Sequence, residues 1–129
     1  IRPRPWRRLK TVSSERDIPL VGSALWGITR AYQSTNSEML FPRYNDGVST
    51  NSNSASAALS KWLKQQTNPD CTMHSFRHSF RDRLRAVECP IELTDALGGW
   101  SPDGIGAAYG QGYSLELKQK WLSAIVLKP

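Results

Sequence analysis

The chain has 129 residues, a net charge of +6 and 39% hydrophobic residues, enough to bury one core and too little for a complete multi-domain enzyme. No apolar run approaches the roughly 20 residues that a bilayer crossing needs, and two cysteines without a denser framework, Cys71 and Cys89, read as reduced thiols of a cytosolic protein. The cations gather at Arg2, Arg4, Arg7, Arg8 and Lys10 and again at Arg77, Arg81, Arg83 and Arg85, a balance that suits a polyanion such as nucleic acid and equally an acidic membrane surface.

Residues 1–20 are expected to be β-like. Pro3 and Pro5 oppose helix, Trp6, Leu9 and Val12 supply apolar contacts, and Ser13–Ser14 is a plausible turn. Lys10 then sits near the tip of a two-stranded hairpin running to Leu20. From Val21 to Gln33 the recurrence of Leu25, Ile28, Thr29 and Tyr32, with Trp26 on a flank, predicts a helix that contributes to the core. Residues 34–51 are rich in Ser, Asn and Thr and form a loop, interrupted by Met39–Pro42 as a short strand or buried anchor. A helix started by Ser52 or Asn53 runs to Gln66, with Ala58, Leu59, Trp62 and Leu63 on its buried face.

The central helix spans about Met73 to Glu88 and stops before Pro90. Phe76, Phe80, Leu84 and Val87 make its apolar stripe, while His74 and Arg77, three apart, share another face. Asp70 or Thr72 is expected to cap its start, so that first-turn amides and two hydrogen-bond donors converge on an anionic oxygen such as a phosphate. His74 and His78 have the i, i+4 spacing of a zinc pair, but no glutamate follows His74 and no third ligand is evident, so no metal is expected. Ile91–Leu97 is a short helix ended by Gly98. Ser101–Gly104 is a turn, and Ile105–Tyr109 a short helix followed by Gly110, whose neighbourhood leaves Tyr109 little stiffness. Ser114 caps a last helix to Val126 with Leu117, Trp121, Leu122 and Ile125 in register.

In order along the chain stand K-T-x-x-S-x-R-x-I-P-L from Lys10, H-x-x-R at His74 and Arg77, L-G-G-W ending at Trp100, and Tyr109 nine positions later. This ordered set resembles the tyrosine recombinases, or phage-type integrases, over Lys10 to Tyr109. The resemblance implies a mainly α fold with a small β-hairpin or sheet (α+β), part of a DNA breaking-rejoining catalytic core. It implies a site-specific recombinase that cuts and rejoins strands through a 3′-phosphotyrosine intermediate. Tyr109 would be the nucleophile, Arg77 a phosphate ligand, His74 a proton acceptor or phosphate ligand, and Lys10 the acid for the departing 5′ oxygen. Trp100, where most members have histidine, can donate an indole hydrogen bond but cannot exchange protons.

Lys10, Arg7, Arg8 and Arg81 are expected against DNA. No cofactor or metal is implied. The implied partners are double-stranded DNA and further copies of the chain, a tetramer on DNA in which helix 114–126 packs on a neighbouring copy within the assembled complex or else folds back on its own chain, in a bacterial cytoplasm at the nucleoid and from a prophage or mobile element. The family's first catalytic arginine has no counterpart before Lys10, so residues 1–129 are expected to be the C-terminal part of a catalytic domain, lacking also the core-binding domain and inactive in isolation. A type IB topoisomerase or telomere resolvase uses similar residues. A DNA-binding module without catalysis is the alternative of a different class.

Overall fold

The computed structural model describes residues 1–100 and 112–127. Five α-helices follow one another: α1 (Gly22–Ser34), α2 (Ser52–Gln66), α3 (Ser75–Ala86), α4 (Ile91–Gly98) and α5 (Leu115–Ala124). The expected turn at 101–104, the helix at 105–109 and Tyr109 lie outside the described residues.

The expected α+β character is not borne out: among the described residues there is no sheet, only the isolated bridges Arg4 to Arg7 and Asn45 to Thr50. In place of a hairpin, Val12–Ser14 forms a single 3-10 turn. The reason is local chemistry. Pro3 and Pro5 have no N–H to offer a ladder, and the hydroxyl-rich run after Lys10 satisfies itself. The Ser14 N–H donates to the Thr11 carbonyl at 3.1 Å, and the Thr11 and Ser14 hydroxyls bond at 2.8 Å. Short polar side chains of this kind compete with strand pairing.

The core is built by the second half of the chain. Leu84 of α3, Cys89 of the connection, Leu93 and Leu97 of α4 and Leu122 of α5 are buried together, with Ile18, Val21, Phe80, Val87, Trp121 and Ile125 packed around them. Two of the four stripe residues of α3 flank Leu84 here, but Phe76 is exposed. Ser114 caps α5 as expected, its hydroxyl accepting from the Leu117 N–H, and α5 lies on this chain's own core through Leu122.

The first two helices differ from expectation in burial rather than in position. No residue of α1 is buried, and Leu25, Trp26 and Tyr32 face solvent. On α2 only Leu63 is buried; Leu59 and Trp62 are exposed, and the cap is Asn51, which accepts from the Ser54 N–H at 3.0 Å. Periodicity establishes that a helix has an apolar face, not that something covers it. Among the described residues no helix is long and apolar enough to cross a membrane.

The α3–α4 junction aims the two best-packed helices at each other. The Cys89 N–H reaches back to the Leu84 carbonyl at 3.0 Å while Glu88 adopts φ 58°, the left-handed position of a Schellman-type close, and Pro90 prevents continuation. Glutamate at this position carries the Cβ penalty that glycine avoids. Glu88→Gly is therefore expected to raise unfolding stability by about 0.5–1 kcal/mol, part of the relief being offset by the freer unfolded chain. Urea unfolding should show a higher midpoint at unchanged slope; a lower midpoint would contradict the assignment.

Candidate active site

The site is organised by the end of α4. Gly99 caps the helix at φ 64°, and the Trp100 N–H returns to the Asp95 carbonyl at 3.0 Å, so the chain reverses and Trp100 is laid back over the helix end. Its indole lies where a side chain on Gly98 would have to be; a Cβ there would overlap the ring. Glycine at 98 is thus required for close approach, glycine at 99 for backbone conformation.

Around this ring α3 supplies two guanidiniums. Arg77 lies over the indole with its Cζ 4.2 Å from the centroid, and Arg81, one turn on, lies at 4.9 Å. Phe80 stacks on the same indole, with centroids 6.3 Å apart and planes 25° from parallel. Arg77 also donates through Nη1 to the Gly98 carbonyl at 2.8 Å. Arg81 forms a part-buried ion pair with Asp95 at 3.2 Å, yet its Nε is buried without a hydrogen-bond partner. Cation–aromatic contacts of this kind contribute about 0.5–2 kcal/mol each depending on desolvation, and they hold the guanidiniums in fixed orientation.

A third arginine approaches from the N-terminal segment. Arg16 donates from Nε to the Leu97 carbonyl at 3.0 Å, from Nη2 to the Gly98 carbonyl at 3.3 Å and from Nη1 to the Ser14 carbonyl at 2.9 Å. Burial, and then the positive charge of Arg77, push its pKa below the usual arginine value. Arg16, Arg77 and Arg81 therefore gather at one turn, where Asp95 pairs with Arg81. An excess of fixed positive charge in a partly desolvated place favours an anion.

The expected residues are met unevenly. Arg77 and Trp100 are brought into direct contact. His74 occupies the N-cap position of α3 without a capping side-chain bond, is exposed, and meets His78 edge-on at 4.9 Å between centroids. Neither Asp70 nor Thr72 caps the helix by its side chain; the Thr72 N–H instead donates to the Ser75 hydroxyl at 3.1 Å. Lys10 is exposed just before the 3-10 turn, and Arg8 is exposed. Arg7 donates to the Arg2 carbonyl at 2.7 Å. Among the described residues no cluster of three or more histidines, cysteines or carboxylates is placed to hold a metal.

The model of the phage integrase family matches residues 6–113. The chain belongs to that family, the tyrosine recombinases. No curated protein and no solved structure matches it. The match takes in both the Lys10 segment and Tyr109, and the family's H-x-x-R and G-W motifs here form one physical unit, since Arg77 binds the backbone of Gly98 and the ring of Trp100. Sequence reasoning missed Arg16 as a neighbour of this turn. Its partners are main-chain carbonyls 81 and 82 residues away, which no spacing reveals; the Gly98–Gly99 pair was the available sign that something approaches closely.

The steric demand at Gly98 is directly testable. Gly98→Ala is expected to displace the indole and cost about 1–3 kcal/mol of stability, the usual range for overpacking. Gly27→Ala is the control: a Cβ there meets nothing within 4 Å, so that variant should gain about 0.5–1 kcal/mol from helix propensity. Equal effects of the two substitutions in urea unfolding would show that Trp100 does not lie on Gly98.

Proposed function

We propose that the chain is the C-terminal part of a recombinase catalytic domain that cleaves and rejoins DNA strands through a 3′-phosphotyrosine. The observation that carries this is the Arg77–Trp100 contact on the Gly98 carbonyl: it joins two family motifs into one cationic, donor-rich surface. Arg77 uses one of its five N–H groups on Gly98 and keeps the rest of its planar fork for non-bridging oxygens.

In the proposed cleavage, the Tyr109 oxygen attacks phosphorus and passes its proton to His74, whose imidazole can accept a proton on one ring nitrogen and return it during rejoining. The bond from phosphorus to the 5′ oxygen breaks, and that oxygen takes a proton from the Lys10 ammonium. Arg77 and the Trp100 indole N–H stabilise the charge that builds on the non-bridging oxygens. Rejoining runs the same steps backwards with another 5′ hydroxyl. Arg7 and Arg8 serve duplex phosphates. Arg81, held by Asp95 and the indole, serves mainly to keep Trp100 in place. The recombining assembly contains several copies of the chain.

The test is a covalent-trapping assay with the full-length protein and a nicked duplex from which the cleaved 5′ end is lost. A protein–DNA band that survives denaturant supports the proposal. Retardation of the duplex without such a band would instead identify a DNA-docking module.

A further inference from the structure

The bonds made by Arg16 link two places that the recombinase reading needs at a fixed separation. On one side, its Nη1 holds the Ser14 carbonyl at 2.9 Å. Ser14 ends the 3-10 turn that begins at Val12, and the Ser14 N–H and hydroxyl both bond to Thr11, the residue next to Lys10. On the other side, its Nε and Nη2 hold the last carbonyls of α4, Leu97 at 3.0 Å and Gly98 at 3.3 Å. The Gly98 carbonyl is also the one Arg77 binds, and Gly99 lets the guanidinium come close because a Cβ there would lie 2.5 Å from Arg16 Nη1. With three donors committed to carbonyls, Arg16 is tied into the backbone rather than aimed at a substrate.

We propose that Arg16 is a positioning residue, a clamp that fixes the segment bearing Lys10 to the Gly98–Trp100 turn so that the proton donor stands at the leaving oxygen of the bound phosphate. The proposal rests on the recombinase reading above. No other residue type does the same: an ammonium in place of the guanidinium is a point charge that cannot reach three carbonyls at once in a plane. Misplacement of a reacting group by about 1 Å can cost about a hundredfold in rate, so Arg16→Ala is expected to slow covalent trapping by about 10- to 100-fold while DNA affinity is kept.

The experiment distinguishes clamping from general weakening by changing the leaving atom. Wild type, Arg16→Ala, Arg16→Lys and Lys10→Ala full-length proteins are compared on duplexes with oxygen or with sulfur at the 5′ bridging position of the cleaved linkage. When the bond from phosphorus to sulfur breaks, the thiolate departs without needing a proton. The deficits of both Arg16 variants and of Lys10→Ala should therefore largely disappear on the sulfur duplex. In parallel, hydrogen exchange on the full-length proteins should show residues 11–16 and 97–100 loosened together in Arg16→Lys, with α5 unchanged and helix content preserved. Equal Arg16 deficits on the oxygen and sulfur duplexes, or loosening of neither segment, overturns the clamp. Failure of wild type to form any adduct overturns the recombinase reading itself and, with it, the role of Arg16 in that reaction.

Discussion

Arg77→Ala in the full-length protein is expected to lower the rate of covalent trapping by about 10²–10³-fold, the usual loss when a preorganised donor to a developing charge is removed. The fold should survive. Alanine is the best helix former for that position of α3, and the buried face of the helix is held by Leu84 and Phe80 rather than by Arg77. What disappears is specific: the Nη1 bond to the Gly98 carbonyl at 2.8 Å and the cation over the Trp100 ring. Binding should respond less than rate, because a phosphate contact contributes to affinity mainly through counterion release. The slope of log K against log salt should fall by about one. Arg77→Lys separates charge from shape, since lysine keeps the charge and loses both the fork and the flat face that lies on the indole. Most of the rate loss should remain in that variant. Full activity of Arg77→Lys would reduce the role of Arg77 to charge alone, and full activity of Arg77→Ala would remove it from the reacting phosphate.

The helices of this chain were legible because each has a local cause. Apolar spacing near 3.6, the Ser114 cap, Pro90 as a stop and a glycine at the end of α4 all act within a few residues. Errors of position were small and had the same origin: Asn51 outcompeted Ser52 as a cap because its side chain reaches the Ser54 N–H, and Gly99 rather than Gly98 took the left-handed position. The hairpin is absent for a reason also written in the sequence. Prolines remove ladder donors from one arm, and the hydroxyls after Lys10 give the backbone better partners nearby than across a ladder. Burial was least legible, because Trp26 and Trp62 lie on amphipathic faces yet meet solvent.

At the site, Arg77 lies over the Trp100 ring, an arrangement that motif order alone does not describe. H-x-x-R suggested that His74 and Arg77 act as a pair on one helix face. In the structure Arg77 turns to the α4 end, while the ring of His74 meets His78. The difference follows from partners: a guanidinium is drawn to a free carbonyl and an aromatic face, and the close approach at Gly98 offers both together. Such an attraction depends on a turn more than twenty residues further along the chain, beyond the reach of any local pattern.

Tyr109→Phe is expected to abolish the covalent adduct while leaving DNA binding within experimental error of wild type. The substitution removes one oxygen and nothing else of the ring, and in the proposed reaction that oxygen is the atom to which phosphorus bonds. No residual phosphotyrosine can form at this position. In the proposed reaction binding is carried elsewhere, by the Arg77 guanidinium and the basic residues near Lys10, so affinity and its salt dependence should not change. The control is Tyr113, an exposed tyrosine just before α5, which lies thirteen positions after Trp100 where Tyr109 lies nine. Tyr113→Phe should trap DNA at the wild-type rate, and proteolysis of the wild-type adduct should leave DNA on a peptide containing residue 109. An adduct that persists in Tyr109→Phe and disappears in Tyr113→Phe would move the nucleophile to Tyr113. The phosphate site built on Arg77 would stand in that case, because its geometry is set by α3 and the end of α4, but the family spacing would no longer describe how this chain supplies its attacking oxygen.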